Sequence, residues 1–245
     1  MTTEEKILEL VREENPENPM EYVCHAVRDY SRQKLDEYIR DCRDCPVYKD
    51  SAAKSVSYGN SNAAVMVVNE GIYQSQLKEG STVVYPVKDS EEGEVLNLAL
   101  FELLHVNKNQ IFWMNAVNCQ TFSEQDGQRF LRAPNNHEAE CCRTFIDSAI
   151  DIVKPLLIIL LGNIPYNLFH KGESVMKAHG TWFDIHGIPA MPVYSLSFLK
   201  KLKDDKSEMS DLYEAEFCED LKKAFQLMQD KYGYGNGGIL DCPLD

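Results

Sequence analysis

Four short apolar runs stand out along the chain, and each has the length of a β-strand. They cover residues 63–68, 111–114, 156–161 and 188–193. Their residues do not alternate between apolar and polar, which is typical of strands buried on both faces of a parallel sheet. We therefore predict that the four runs are the central strands of one sheet.

Segments with helical periodicity or polar composition separate these runs. Helices are predicted at residues 3–14, 20–40, 93–105, 134–150, 163–169 and 208–230. Loops are predicted at residues 51–62, 74–92 and 120–132, the second long enough to be a functional lid. Strands that alternate with helices predict an α/β fold of three layers, an open and mostly parallel sheet flanked by helices.

The strand ends place polar residues where such a sheet binds its ligands. Glu70, Asn115, Gly162 and Tyr194 each stand at or just after the end of a predicted strand. Because the carboxyl ends of parallel strands meet at one rim, we expect these residues to lie close together. The sequence predicts a functional site at this rim.

Net charge and termini limit the classes of function. The formal net charge is −14, which disfavours binding to a DNA duplex unless basic residues are segregated on one face. No run approaches the ~18 apolar residues of a membrane span, and the amino terminus lacks the pattern of a secretion signal. We expect a cytoplasmic, monomeric protein with no membrane partner.

Eight cysteines in a reducing compartment suggest metal binding before disulfides. Cys42 and Cys45 are two residues apart and can reach one metal centre from a single turn, with Cys119 and Cys142 completing a set of four. Thiolates bind iron–sulfur clusters and structural zinc alike, so the spacing leaves both open. The alternative is that Cys119 and Cys142 are small buried apolar residues, as we predict for the other four cysteines.

The order of motifs resembles the iron–sulfur uracil-DNA glycosylases, family four of that superfamily, over residues 42–202. The motifs are Cys-x-x-Cys from Cys42, a strand then Glu70, Asn-x-Val-x-Cys from Asn115, Glu-x-x-x-Cys from Glu138, a strand then Leu161-Gly162, and Tyr-x-x-Ser-x-Leu from Tyr194. The resemblance implies a [4Fe–4S] cluster on Cys42, Cys45, Cys119 and Cys142, with zinc as the alternative. It also implies a glycosylase-like α/β domain over residues 41–205, with helices at 1–40 before it and an acidic helix and tail at 206–245 packed on it.

The resemblance assigns roles to the residues around the first two rim motifs. Glu70 is the catalytic candidate, which orients or deprotonates the attacking water or stabilises the cationic sugar. Asn115 matches the asparagine that reads the edge of a flipped-out base. Asn69, Glu70 and Tyr73 occupy the first motif, where only the glutamate is retained, and Tyr73 limits which pyrimidines enter. Tyr85 is the candidate for the aromatic that stacks on the base.

The last motif departs from the family pattern. Family members have His-Pro-Ser there, and this chain has Ser195-Leu196-Ser197. A serine hydroxyl donates one hydrogen bond but carries no charge, so support of the leaving base by Ser195 or Ser197 should be weaker. Lys200 and Lys201 follow, where the family inserts a loop into DNA.

Two functions remain open from the sequence. The first is a DNA glycosylase that releases uracil or a modified pyrimidine from DNA by base flipping. The alternative is a catalytically silent protein of the same fold that binds nucleic acid, a nucleotide or a protein partner, which the acidic charge and the absent histidine favour.

Overall fold

A six-stranded sheet lies at the centre of the protein, described here from a computed structural model that covers residues 19–78, 80 and 82–232. The helix predicted at residues 3–14 and the part of the predicted tail after residue 232 lie outside these residues. The described strands are β1 (Lys54–Ser55), β2 (Tyr58–Gly59), β3 (Val65–Asn69), β4 (Val83–Val84), β5 (Ile111–Asn115), β6 (Phe122–Gln125), β7 (Gln128–Leu131), β8 (Leu157–Leu161), β9 (Phe183–Ile185) and β10 (Ile188–Val193).

The central sheet has the strand order β2-β5-β3-β8-β10-β9. The four predicted strands are its inner strands β5, β3, β8 and β10, which pair in parallel, and the short edge strands β2 and β9 pair antiparallel. Every residue of β3, β5 and β8 is buried, as continuous apolar runs predict. The predicted fold class, a mostly parallel α/β sheet flanked by helices, is confirmed.

Helices connect and cover the strands. They are α1 (Pro19–Asp41), α2 (Glu94–Asn97), α3 (Asn136–Val153), α4 (Asn163–Phe169), α5 (Val175–Ala178), α6 (Leu196–Asp204) and α7 (Ser210–Tyr232), with a π-helix at Leu98–Leu103 and 3-10 turns at Pro46–Lys49, Gln74–Gln76 and Lys108–Gln110. Apolar residues at helical spacing face the core, as Phe217, Leu221, Ala224 and Met228 of α7 do. In the part of the chain described, no helix is both long and apolar enough to cross a membrane.

Three local predictions need correction. Residues 93–105 do not form one amphipathic helix: α2 passes into the π-helix, and Leu98 and Leu103 are more than half exposed. The helix predicted from Pro134 begins two residues later, because the Asn135 side chain accepts a hydrogen bond from the Glu138 N–H and forms a capping box. Residues 122–131 are a β-hairpin, with Asp126 and Gly127 at positive φ in its turn.

Candidate active site and cysteine cluster

Glu70 follows β3 and is surrounded by the starts of two helices. Its side chain accepts hydrogen bonds from the backbone N–H groups of Ile164 and Asn163 in α4. The Ser197 hydroxyl, in the first turn of α6, donates to its Oε2 at 3.4 Å. The residue is only 9% exposed, so it is a carboxyl group held in a largely dry site.

Burial raises the pKa of the Glu70 carboxyl to about 7, and the donors from Ile164, Ser197 and Asn163 offset part of that shift. A carboxyl that titrates near neutral pH is suited to accept a proton in catalysis and to release it afterwards. Perturbed carboxyl groups in a cleft are frequent at active sites.

Gly162 makes the close approach of Glu70 possible. Its φ is +94°, and a Cβ atom built on it would lie 2.4 Å from Glu70 Oε1 and 2.7 Å from the Cβ of Ser195. A side chain at this position would therefore displace the carboxyl group. Glycine follows Leu161 at the end of β8 because only a residue without a side chain leaves room for Glu70 against α4.

Glu70 lies at one wall of a cavity of about 390 Å³. Tyr73, Ser197 and the β6–β7 hairpin, through Phe130 and Arg132, also line it. Phe130 is 48% exposed, so its ring is accessible to a ligand that enters the cavity. The sequence prediction missed this hairpin because residues 120–132 are polar, although Asp126-Gly127 is a hairpin turn signal.

Asn69 and Asn115 face each other across β3 and β5, where they are register partners. The Tyr73 hydroxyl donates to Asn69 Oδ1 at 2.5 Å, Asn69 Nδ2 donates to Asn115 Oδ1 at 3.0 Å, and Asn115 Nδ2 donates to Ser55 Oγ at 2.9 Å. Both asparagines are fully buried. Both ends of the Asn115 amide are therefore bonded to the protein itself, and Asn115 does not line the Glu70 cavity.

The two serines of the last motif differ in position. Ser195 is the N-cap of α6, and its Oγ accepts from the Phe198 N–H at 3.3 Å. Its Oγ also lies 3.3 Å from that of Ser197. Ser197 is the serine that both contacts Glu70 and lines the cavity.

The structure does not bring Tyr85 or Lys200 to the Glu70 cavity. Tyr85 lines a different cavity, together with Tyr58. Lys200 forms ion pairs with Asp204 at 2.6 Å and with Glu91 at 3.3 Å, so its positive charge is already paired within the protein. Lys201 is exposed and has no such ion pair among the described residues.

The four predicted cluster cysteines lie in one region of the structure, near enough for their charges to interact. Burial raises the pKa of the Cys142 thiol to about 12; the backbone N–H of Asn118 lowers it, and Cys119, Cys45 and Cys42 are near enough to raise it. Cys141, which we predicted to be only structural, forms a hydrogen bond with Cys45. The thiols come from the segment just after α1, the loop after β5 and the helix α3.

The hydrogen bonding of the Asn118 side chain shows whether the region around these cysteines fits a bound metal cluster. The residue is 2% exposed, and within the described part of the chain neither its Oδ1 nor its Nδ2 has a hydrogen-bond partner. An unpaired buried amide beside Cys119 and a set of thiols fit a bound cluster. The same residues contain no group of three or more His, Cys, Asp or Glu side chains placed for a single metal ion.

The protein has an open, mostly parallel α/β sheet with a buried carboxyl group, Glu70, at its strand ends. It therefore belongs to the class of α/β proteins whose functional site lies at the rim of the sheet. The model of the family described as "Uracil DNA glycosylase superfamily" matches residues 56–222, more than half of the chain. The chain belongs to the uracil-DNA glycosylase superfamily.

Several curated relatives carry the name Type-4 uracil-DNA glycosylase. The protein of Sulfurisphaera tokodaii is 25% identical over 199 residues, covering 74% of this chain and 84% of the relative. That of Pyrobaculum aerophilum is 32% identical over 132 residues, covering 54% and 61%. That of Thermotoga maritima is 25% identical over 202 residues, covering 80% and 95%.

Proposed function

We propose that the protein is a DNA glycosylase that hydrolyses the N-glycosidic bond of uracil or a modified pyrimidine in DNA. The observation that carries the proposal is the buried Glu70 carboxyl, with its pKa near 7, on a cavity at the carboxyl edge of the sheet. The names of the curated relatives support the same class of reaction. A cavity of this size accommodates one flipped-out pyrimidine.

In the proposed reaction the ionised Glu70 carboxylate acts on water. It orients a water molecule towards the anomeric carbon and accepts a proton from it as the oxygen bonds to that carbon. The glycosidic bond breaks, and its electron pair leaves with the base nitrogen. The negative carboxylate also stabilises the positive charge that develops on the sugar. The Ser197 hydroxyl can turn from Glu70 to the leaving base, with Ser195 beside it.

Two aromatic residues define the space for the base. Tyr73 is buried in the wall of the cavity and is held by its hydrogen bond to Asn69, so it is placed to exclude bulky substituents on the base. Phe130 is exposed at the mouth, and we propose that it covers the base in the role first assigned to Tyr85. Direct reading of the base by Asn115 requires that the base replace Asn69 as a partner of its amide.

Cys42, Cys45, Cys119 and Cys142 would hold a [4Fe–4S] cluster, with zinc as the alternative. The unpaired Asn118 amide and the nearby thiols support this assignment. Its chemistry here would be structural, since it would join the end of α1 to the loop after β5 and to α3. Lys201, in the last turn of α6, is the remaining candidate for DNA contact of the two lysines that the sequence singled out.

Release of free base from DNA tests the proposed function. Purified wild-type protein should release uracil or a 5-substituted pyrimidine from single- or double-stranded oligonucleotides, with hypoxanthine included as a further base. Phe130→Ala should slow release roughly five- to a hundredfold, the range expected when one aromatic is removed from a stacked base. Tyr38→Ala, a 70% exposed tyrosine on α1, is the matched control and should leave the rate unchanged.

A catalytically silent protein of this fold is the second candidate, because the Asn115 amide is already bonded at both ends. It predicts that no base is released from any oligonucleotide and that Glu70→Gln behaves as wild type. Oligonucleotide binding without release would support it, and release that depends on Glu70 would exclude it.

A further inference from the structure

A second cavity, of about 670 Å³, borders the edge strand β2 and shares no lining residue with the Glu70 cavity. Tyr58 of β2 and Tyr85 and Lys88 of the loop after β4 line one part of it. Asn97 and Asn109 line another. No role in the proposed glycosylase reaction accounts for this set of residues.

The two tyrosine rings form an exposed aromatic surface. Their centroids are 5.4 Å apart, and each residue is 37% exposed. The Lys88 ammonium lies 4.9 Å from the Tyr58 ring and 5.2 Å from the Tyr85 ring. Aromatic faces stack on nucleobases of any sequence, and a neighbouring lysine provides a positive charge for a phosphate.

Two of the amide side chains that line the cavity are available to a ligand. In the described residues, the side-chain amides of Asn97 and Asn109 make no hydrogen bond to the protein, in contrast to those of Asn69 and Asn115 at the sheet rim. An amide offers a donor and an acceptor to the edge of a base. The Asp89 carboxylate also lines the cavity and repels anions, so a phosphate must lie on the Lys88 side.

The loop that carries Tyr85 and Lys88 is strained and firmly held. Val87 has φ +60°, a rare conformation for a β-branched residue. Gln76 Nε2 donates to the carbonyl oxygens of Tyr85 at 2.7 Å and Lys88 at 3.0 Å. Backbone strain that the surrounding structure maintains is frequent at ligand sites. Short π-helices are also frequent at functional sites, and Phe101 of the π-helix lines this cavity.

We propose that this cavity binds one nucleotide, with its base against Tyr58 and Tyr85 and its phosphate near Lys88. The nucleotide is either free or one unit of a single strand, since both present the same base and phosphate. A single unit needs few cations, which is compatible with a net charge of −14. The site is independent of base release at Glu70.

Binding of two probes tests the proposal, with thymidine monophosphate measured by calorimetry and a labelled oligothymidylate by fluorescence anisotropy. All proteins carry Glu70→Gln, so that base release at Glu70 has no influence on the result. Tyr58→Ala and Tyr85→Ala should each weaken binding roughly five- to a hundredfold, the effect of removing one stacking ring. Lys88→Ala should weaken binding and reduce its dependence on salt.

The matched controls are Tyr38→Ala and Lys177→Ala, which replace exposed residues outside the cavity and should bind as the parent does. Binding of the mononucleotide identifies a free nucleotide as sufficient, and binding of the oligomer alone identifies a strand. Equal affinities for cavity and control variants would overturn the proposal, as would the absence of binding by either probe.

Discussion

Glu70→Gln should be more stable than wild type at pH 8 by about 3 kcal/mol. The folded protein holds the Glu70 carboxyl at a pKa of about 7, against an ordinary value of 4.5. The folded state therefore binds this proton more tightly than the unfolded chain does. Its contribution to stability is complete below about pH 4.5 and is lost as the pH rises through 7, at about 1.4 kcal/mol per pKa unit. A neutral amide avoids that loss.

Urea unfolding of both proteins at pH 5 and pH 8 measures the difference. The advantage of the glutamine variant should grow with pH. Glu138→Gln is the control: although burial acts to raise the pKa of Glu138, the hydrogen bonds from Arg132 and the Asn135 N–H lower it overall. Glu138 is therefore already ionised at pH 5, and the difference between this variant and wild type should be nearly the same at both pH values. The same difference between the Glu70 variant and wild type at both pH values would contradict a raised pKa of Glu70.

Loss of any one cluster cysteine should remove iron and inorganic sulfide and lower the melting temperature by roughly 10 °C or more. Replacing Cys42, Cys45, Cys119 or Cys142 by serine would take a ligand from a group that joins three separate segments. A group that binds only the folded protein stabilises it, and in a chain of this size each kcal/mol lost lowers the melting temperature by about 2–4 °C.

Iron, sulfide and zinc analysis of anaerobically purified protein, with thermal unfolding, provides the measurement. Cys218→Ser is the matched control, because Cys218 is a partly buried free thiol in α7 that belongs to no predicted ligand set. It should keep the metal content and melting temperature of wild type. Zinc without sulfide would establish the alternative metal, and wild-type protein without either metal would refute the assignment.

The central sheet could be predicted from sequence because its signal is local. Uninterrupted apolar runs bounded by polar residues identified β3, β5, β8 and β10, and burial of all residues in β3 and β5 explains why no alternation is visible. The location of Glu70 beside Gly162 followed from the common direction of the parallel strands. The apolar pattern of each strand, taken alone, was sufficient to predict both the sheet and the position of Glu70.

Side-chain pairing across strands could not be predicted in the same way. The hydrogen bond between Asn69 and the Asn115 amide depends on the register of β3 with β5. The apolar pattern does not specify that register to one residue. Tyr85 was placed near the base from its position in a long loop, and the pairing of β4 with β1 carries it to another cavity. Phe130 was missed because its hairpin is polar and exposed.

The pH dependence of base release under single-turnover conditions tests the role of Glu70 most directly. With a substrate that the protein cleaves, the wild-type rate should rise about tenfold per pH unit below pH 7 and level off above it, because the ionised carboxyl is the active form. Glu70→Gln should be at least about a hundredfold slower, with no such rise. Equal rates and equal pH profiles for the two proteins would contradict the account.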